Sequence, residues 1–427
     1  MAKWLTLSIC LLGITSCIQF GDTYQGIPPG IWRGVLELSS QTDDFDEKTG
    51  GQLPFNFEVI YDRPDSFHIV IHDGEERIVI NDIHMGVDRR TARDTIRIDF
   101  PVYDSHIEAQ CEEDAIEGWW VVHNRKDYRI KFKALHGQPY RFFQLPDPPA
   151  ADLTGTWDCT FELDTDHPIR AIGEFKQDSN TITGTFLFAT GDDRFLEGTV
   201  NGDRLHLSVF DGSHAYLYEA KILPDGQLTG IYRSGSHYKT YWEAKRSDSI
   251  HLSQLGDPLQ LTRMKSKDAF QLALPGLDGQ MVDISSGLYA GKPKIIQIMG
   301  TWCPNCRDET SFLLDYLKKH PDPGFEILGV SFERHTDTLK AMAAIRTYKE
   351  KLNIPYTLLY GGPNDKTKAS EVFPMLDKVV AYPTLIFLNQ ANQVVAIHTG
   401  FAGPATSEFP LFVKEFDDLV SKMISTQ

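Results

Sequence analysis

Gly300-Thr-Trp-Cys-Pro-Asn-Cys306 is the stretch of sequence that decides the fold of the C-terminal third of this 427-residue chain. It follows an apolar run, Lys294–Met299, that predicts a buried strand, and it precedes an amphipathic stretch that predicts a helix. Cys303 then stands at the helix N-terminus, where unpaired N–H groups and the helix dipole stabilise a thiolate and lower the thiol pKa. We therefore predict a redox disulfide in which Cys303 is the nucleophile and Cys306 resolves the mixed disulfide.

Strand and helix patterns alternate around this motif from about residue 268 to the end of the chain. Buried strands are predicted at Phe325–Phe332 and Ala381–Leu388, and helices at about 337–352 and 407–424. This order, closed by a hairpin and a helix, predicts an α/β domain with a thioredoxin fold over residues 268–427. A CxxC pair can also bind zinc, but such a site needs a second pair of Cys or His, and none with that spacing lies nearby in the sequence. We therefore predict no metal.

Tyr382-Pro383-Thr384 begins the second of these strands, 80 residues after Cys303. A proline in that place, taken alone, is an ordinary strand-initiating residue. Together with Gly300–Cys306 and Leu328–Phe332, the segment resembles the TlpA/ResA-like branch of the thioredoxin family, over about residues 268–425. In thioredoxin folds this proline is cis and packs beside the cysteines, and X-Pro bonds are the ones that become cis at little cost.

The resemblance implies a function and a role for each residue of the site. Members of the family are extracytoplasmic, membrane-tethered disulfide reductases; no metal or organic cofactor is expected, but an upstream membrane or periplasmic electron donor is. Pro383 and Thr384 would position the backbone of a periplasmic protein substrate, and Trp302 would shield the dithiol. Glu309 would tune the cysteine pKa values or exchange protons with the resolving thiol; the alternative is a solvent-facing glutamate in the first turns of the helix.

The direction of electron flow stays open. Pro304-Asn305 stands between the cysteines in place of Gly-Pro or Glu-Pro, and this dipeptide helps to set the reduction potential. A dithiol oxidase or a thiol peroxidase of the same fold is therefore an alternative to the reductase. A further alternative is a lipid-anchored binding protein, in which the N-terminal modules capture a ligand or a partner.

The N-terminus predicts export. Lys3 precedes a short apolar stretch, Trp4–Ile14, which has the length of a secretory signal and is too short to span a bilayer as a helix. It ends in Ile14-Thr-Ser-Cys17, which resembles the lipobox of bacterial lipoproteins. We predict a signal peptide at residues 1–16 and lipidation of Cys17. The protein would then be tethered to a membrane of the bacterial cell envelope and face the periplasm; a plain cleaved signal is the alternative.

An internal repeat precedes the redox domain. Gly30-Ile-Trp-Arg-Gly-Val-Leu-Glu-Leu38 is similar to Gly155-Thr-Trp-Asp-Cys-Thr-Phe-Glu-Leu163, and two further pairs of similar segments follow in the same order. We predict two copies of one all-β module, at residues 24–145 and 152–247. The stiff segment Leu145–Pro149 would join them.

The second copy has the pattern of eight short strands, separated by turn residues such as Asn201-Gly202. Eight antiparallel strands predict an up-and-down barrel, with a sandwich as the alternative. The Gly-x-Trp near the start of each copy resembles the lipocalin/calycin superfamily. We expect these barrel-like modules to act as a scaffold or docking surface, with a small-molecule pocket as the alternative. The predicted strands are 154–162, 169–177, 181–189, 194–200, 204–210, 215–223, 227–233 and 237–245.

The charge of the chain argues against a nucleic-acid-binding function. The formal net charge is −17, and no basic patch interleaved with aromatic residues occurs in the sequence. Acidic, solvated faces of a soluble globular protein explain this balance better.

Two cysteines of the β modules, Cys111 and Cys159, lie in different copies. An exported compartment permits a disulfide between them. Two separate buried thiols are the alternative, because a free cysteine behaves as a small apolar residue.

Overall fold

The computed structural model describes residues 26–39 and 50–426. The predicted signal peptide and Cys17 lie outside these residues. Within them, two antiparallel sheets of nine strands each precede a domain with a five-stranded sheet and four α-helices. The predicted fold class, two all-β repeats followed by an α/β thioredoxin fold, is confirmed. None of the helices in the described ranges combines the length and the apolarity that crossing a bilayer requires.

The first sheet is a meander whose two central strands alternate between buried and more exposed residues, as expected when one face of a sheet packs on the core and the other faces solvent. Its strands are β1 (Gly30–Glu37), β2 (Gln52–Arg63), β3 (Ser66–Asp73), β4 (Glu76–Ile80), β5 (Ile83–Val87), β6 (Asp94–Phe100), β7 (Ser105–Glu112), β8 (Ala115–Val122) and β9 (Tyr128–His136). They follow the order β4-β3-β2-β1-β9-β8-β7-β6-β5, so that β1 pairs with β9 and bends the sheet back on itself.

The second sheet closes into a barrel, because β11 pairs with β12 as well as with β10. Its strands are β10 (Gly155–Phe161), β11 (Ile169–Asp178), β12 (Thr181–Phe188), β13 (Gly191–Asp192), β14 (Leu196–Asn201), β15 (Arg204–Phe210), β16 (Ala215–Ile222), β17 (Leu228–Ser234) and β18 (Tyr238–Arg246). The eight predicted strands agree with eight of these within two residues, and the two-residue β13 was not predicted. The predicted up-and-down barrel is therefore confirmed for this copy, and the alternative of a sandwich is wrong.

The two sheets share features that identify them as copies of one module. Trp32 and Trp157 are both fully buried, and the indole Nε1 of each donates to the carbonyl oxygen four residues earlier, at 2.9 Å in both copies. Gly30 and Gly155, two residues before each tryptophan, both have positive φ values, 104° and 125°. A side chain would be strained there, which explains why glycine precedes the tryptophan in both copies.

The first copy differs from the second in that its barrel stays open. β4 lies along the edge of β3, in the place that β14 occupies on β12, and the described residues contain no pairing between β4 and β5. The chain passes from one edge of the sheet to the other through Asn81-Asp82. Cys111 and Cys159 are both buried and free, so the alternative of two separate thiols is correct.

The C-terminal domain has a mixed sheet of order β23-β22-β21-β24-β25, with parallel β21, β22 and β23 and antiparallel β24 and β25. Every residue of β21 is buried, as its apolar run predicts. A short hairpin, β19 (Ala273–Pro275) and β20 (Met281–Asp283), precedes the sheet. The other elements are β21 (Lys294–Met299), α1 (Pro304–Lys319), β22 (Glu326–Glu333), α2 (Thr338–Lys351), β23 (Thr357–Pro363), α3 (Lys366–Val372), β24 (Thr384–Leu388), β25 (Val394–Thr399) and α4 (Phe409–Ser425).

All three parts pack against one another. Phe210 of the barrel lies in the apolar core of the first sheet, with its ring 4.6 Å from that of Phe55. On the other side, Ser213 of the barrel donates to the carbonyl oxygen of Trp302 at 3.0 Å. Asp104 of the first sheet accepts a 2.6 Å hydrogen bond from His335. The two β modules therefore both contact the face of the C-terminal domain that carries the CxxC motif.

Candidate active site

Cys303 caps the N-terminus of α1. Pro304 occupies the first helical position, which needs no N–H donor, and the Cys306 N–H donates to Cys303 Sγ at 3.2 Å. A disulfide joins the two cysteines, whose Cα atoms lie 5.2 Å apart. Cys303 is 6% exposed and Cys306 is fully buried, so only Cys303 has any surface that a substrate sulfur could approach.

The segment Tyr382–Thr384 lies beside the disulfide. The Tyr382–Pro383 peptide bond is cis, and the carbonyl oxygen of Tyr382 lies 3.7 Å from Cys303 Sγ. Thr384 is buried, begins β24 opposite Ile298 of β21, and donates through Oγ1 to a backbone carbonyl at 2.9 Å. These residues stand 80 positions from the CxxC in sequence, and the central strand β21 brings the two segments together.

Trp302 forms one wall of the site. Its indole Nε1 donates to the carbonyl oxygen of Phe332 at 2.8 Å, and its ring meets the ring of Tyr382 edge-on, with centroids 5.9 Å apart. The Arg334 guanidinium stacks on the face of the Trp302 ring, 4.2 Å from the ring centroid. Trp302 is thereby fixed next to the disulfide, in a position to limit the access of water to Cys303.

Glu309 is fully buried on α1, one turn after Cys306, so the alternative of a solvent-facing glutamate is wrong. Its Oε2 accepts a 2.8 Å hydrogen bond from Gln297 of β21, and within the described residues its Oε1 has no hydrogen-bond partner. Burial raises the pKa of Glu309 from its ordinary 4.5 to about 8. The carboxyl group is therefore largely protonated at neutral pH.

A cavity of about 300 Å³ lies over the dithiol, between the two β modules and the C-terminal domain. Sequence patterns and the family resemblance indicated its wall residues from the Trp302–Asn305 segment and Tyr382. The other charged and polar wall residues were missed, because they come from strands and loops far apart in the chain. In the described part of the chain, no group of three or more His, Cys, Asp or Glu side chains could hold a metal ion. Six of the lining residues are Trp120, Arg125, His214, His237, Asn305 and Arg334.

A buried ionic cluster holds the three parts together next to this cavity. Arg194 of the barrel is 1% exposed and pairs with Asp211 of the barrel at 2.6 Å and with Asp308 of α1 at 2.9 Å. Its third partner is Glu76 of the first sheet. Burial raises the pKa values of Glu76 and Asp308, and the surrounding carboxylates raise the pKa of Arg194 against the effect of burial. Sequence reasoning missed this cluster.

Comparison with known proteins places the C-terminal region in a family. Residues 266–397 match the AhpC/TSA family. The thiol-disulfide oxidoreductase ResA of Bacillus subtilis is 21% identical over 136 residues, which cover 32% of this chain and 68% of ResA. The thiol:disulfide interchange protein HelX of Rhodobacter capsulatus is 28% identical over 170 residues, 39% of this chain and 84% of HelX.

Two further comparisons cover the same region. The thiol:disulfide interchange protein DsbE of Allochromatium vinosum is 25% identical over 112 residues, which span only 56% of that protein and 26% of this chain. A solved thiol-disulfide oxidoreductase from Bacteroides fragilis aligns at 18% identity and a TM-score of 0.27, covering 35% of this chain and 99% of the other. The family match and the three curated relatives together identify the C-terminal region of this chain as an AhpC/TSA-family domain of thioredoxin fold, a thioredoxin-like thiol–disulfide oxidoreductase.

Proposed function

We propose that this protein is a disulfide reductase of the bacterial cell envelope. The observation that carries the proposal is the position of Cys303, at the N-terminus of α1 and 3.7 Å from the Tyr382 carbonyl oxygen. The helix dipole favours a thiolate there, and a thiolate is the attacking species in disulfide exchange. The names of the curated relatives, thiol-disulfide oxidoreductase and thiol:disulfide interchange protein, support the same chemistry.

The proposed reaction has two exchange steps. The Cys303 thiolate of the reduced protein attacks one substrate sulfur, so that a mixed disulfide forms, the substrate S–S bond breaks and one substrate thiolate leaves. Cys306 loses its proton and attacks Cys303 Sγ, which restores the Cys303–Cys306 disulfide and releases the second substrate thiolate. Two electrons pass to the substrate, and an external dithiol donor then reduces the protein for the next cycle.

Pro383, Thr384 and Trp302 act in this proposal as positioning residues. The Tyr382 carbonyl oxygen faces Cys303 Sγ, so the backbone on either side of Pro383 can pair with the main chain of a protein substrate. Thr384 anchors that segment to β21, and Trp302 limits the access of water to the dithiol. Because Cys303 is only 6% exposed, a protein disulfide reaches it after the β modules shift away from α1.

The cellular location is part of the proposal. The signal-like residues 1–16 and the lipobox-like Cys17 support an exported, lipid-anchored protein that faces the periplasm. The intact mass of the membrane-extracted protein tests this, because a mature chain that begins with an unmodified residue contradicts the anchor.

The test of direction is a reduction potential together with a reductase assay. We expect the Cys303–Cys306 couple to have a thioredoxin-like potential near about −270 mV, and the reduced protein to reduce insulin and 2-hydroxyethyl disulfide. A potential near about −120 mV, with net oxidation of added dithiols, indicates a dithiol oxidase instead. Failure to exchange with either disulfide contradicts the proposed function altogether.

We expect Glu309→Gln to gain stability relative to the wild type as the pH rises from 5 to 8. The folded wild type keeps a proton on Glu309 up to about pH 8, whereas the unfolded chain releases it near pH 4.5. Between these values the folded state binds more protons, so the stability of the wild type falls as the pH rises. Glutamine does not titrate, and the difference in unfolding free energy should grow by on the order of 3 kcal/mol. Urea unfolding at pH 5 and pH 8 measures it.

Glu350→Gln is the matched control, because Glu350 is exposed on α2. Its stability difference from the wild type should not change with pH. A second readout concerns the proposed proton exchange: release of the second substrate thiol should become slower in Glu309→Gln than in the wild type. If this rate is unchanged while the stability difference follows the pH, Glu309 is a buried acid without a role in the resolving step.

A further inference from the structure

The cavity over the dithiol is lined by two arginine side chains that have no acidic partner in the described part of the chain. Arg125 of the first module and Arg334, which follows β22, both line it together with Cys303. Neither guanidinium forms an ion pair within the described residues. Arg125 Nη1 lies 2.8 Å from His237 Nε2, and Arg334 stacks on Trp302. Two cationic side chains therefore line the same cavity as the reactive cysteine, and neither has a carboxylate partner within the described residues.

Arg334 has no ion-pair partner among the described residues, although the nearby charge of Glu333 partly offsets the effects that lower its pKa. Burial, and next the charge of Arg125, lower the pKa of Arg334 to about 10, so it remains charged at neutral pH. Its sequence neighbour Glu333 is bonded instead to Thr301 Oγ1 at 2.7 Å and to Ser331 Oγ at 2.5 Å. Two like charges in one cavity repel each other, and an anion bound between them would relieve that repulsion.

Two carboxyl groups also line this cavity, but both already accept hydrogen bonds from other residues. Asp192 accepts from the N–H groups of Arg194 and Gly403, and Asp193 accepts from the hydroxyl of Tyr218. Burial raises the pKa values of both carboxyl groups to about 7, which reduces their negative charge at neutral pH. Asp192 and Asp193 therefore do not neutralise the positive charge of the two arginines.

Four residues that line the cavity each have a buried polar atom without a hydrogen-bond partner in the part of the chain that the structure describes. These atoms are the hydroxyls of Tyr103 and Tyr382, the indole Nε1 of Trp120 and the side-chain oxygen of Asn305. Tyr103 is 6% exposed and Trp120 is 2% exposed, so bulk water does not satisfy them. Buried polar groups normally have partners, and three of these four can donate a hydrogen bond.

We propose that the cavity is a binding site for small disulfides that carry carboxylates, with Arg125 and Arg334 binding the carboxylate and Cys303 exchanging with the sulfur. This inference rests on the proposed function and adds a substrate class to it, one that reaches the dithiol without displacement of the β modules. A volume of about 300 Å³ lies at the lower end of the range of small-molecule sites. The chemistry is the two-step exchange described above, with an external dithiol as reductant.

The test compares three disulfides of similar size and different charge with the full-length reduced protein. They are 3,3′-dithiodipropionate, which is anionic, 2-hydroxyethyl disulfide, which is neutral, and cystamine, which is cationic. We expect kcat/KM to fall in that order, by about tenfold at each step. Equal values for the three overturn the inference and leave the proposed function intact, whereas no reduction of any of them overturns the proposed function itself.

Variants locate the effect in the cavity. Arg125→Gln should lower kcat/KM for the anionic disulfide about tenfold and leave the neutral one unchanged. Arg334→Gln should lower kcat/KM about tenfold more for the anionic disulfide than for the neutral one, because Arg334 also contacts Trp302. Arg129→Gln is the matched control, because Arg129 also stacks on a tryptophan, Trp119, but lies outside the cavity. An equal loss for the anionic and neutral disulfides in the two cavity variants overturns the assignment of the arginines.

A competition measurement keeps the test independent of whether the variants fold. Glutarate carries two carboxylates and no sulfur, so it should inhibit reduction of 3,3′-dithiodipropionate by the wild type competitively. Sodium chloride at the same ionic strength is the control for screening. Equal inhibition by glutarate and by the salt control overturns the proposed site.

Discussion

Cys303→Ser is expected to lower the rate of disulfide reduction by at least about 10³-fold, because the first covalent step is lost. A serine hydroxyl does not ionise at neutral pH under the field of a helix N-terminus, and it cannot form a mixed disulfide. The loss should be the same for insulin and for 2-hydroxyethyl disulfide, since both depend on the same attacking atom. Initial rates with a fixed concentration of external dithiol measure it, and a variant that keeps full activity contradicts the assignment.

Two other cysteines provide the controls. Cys306→Ser keeps the nucleophile and lacks the resolving thiol, so it should accumulate a mixed disulfide that mass spectrometry detects and that identifies natural substrates. Cys111→Ser should leave the rate unchanged, because Cys111 is a buried thiol of the first sheet and burial raises its pKa to about 12. Loss of activity in Cys111→Ser would show that removal of any thiol damages the fold, and that the effect at Cys303 is not chemical.

The elements that sequence reasoning predicted well are those set by local patterns. The helix predicted at about 337–352 is α2, Thr338–Lys351, and its N-terminus is capped by Asp337, which accepts from the Lys340 N–H. The buried run Lys294–Met299 is the central strand β21. Pro383, the second half of the site, was indicated by the resemblance to the thioredoxin family and not by a local pattern, because a proline at a strand start is ordinary when taken alone.

The elements that sequence reasoning missed depend on contacts between modules. Arg194 and its partner Glu76 are 118 residues apart. In the sequence, Gly191-Asp192 indicates a break between two strands and Arg194 is the first residue of the predicted strand 194–200, so nothing local marks it as buried. Its burial arises only when the first sheet and α1 close over it. The same holds for Arg125 and Arg334, which belong to different modules and meet only in the assembled cavity. Neither the hydrophobic periodicity nor the turn residues of a sequence predict contacts between residues of different modules.

Arg194→Met is expected to destabilise the protein by about 3–5 kcal/mol, the range for breaking a buried ionic pair by removing one partner. Three carboxylates, Glu76, Asp211 and Asp308, would stay at the junction of the three parts without the guanidinium that neutralises them. The junction covers the face of the dithiol, so loosening it should also expose Cys303. We expect faster alkylation of Cys303 by iodoacetamide in the reduced variant than in the reduced wild type, and urea unfolding at pH 7 measures the stability.

Arg170→Met is the matched control, because Arg170 of the same barrel pairs with Asp158 at 3.0 Å in a half-exposed position. An exposed pair contributes less than about 1 kcal/mol, so this variant should be nearly as stable as the wild type. Acid should partly rescue Arg194→Met, because burial raises the pKa values of Glu76 and Asp308 and removal of the cation raises them further. Carboxyl groups with raised pKa values in the folded state stabilise it at low pH and lose that effect as the pH rises. The deficit should therefore be smaller at pH 5 than at pH 7, and a deficit independent of pH would show that Arg194 acts through packing instead of charge.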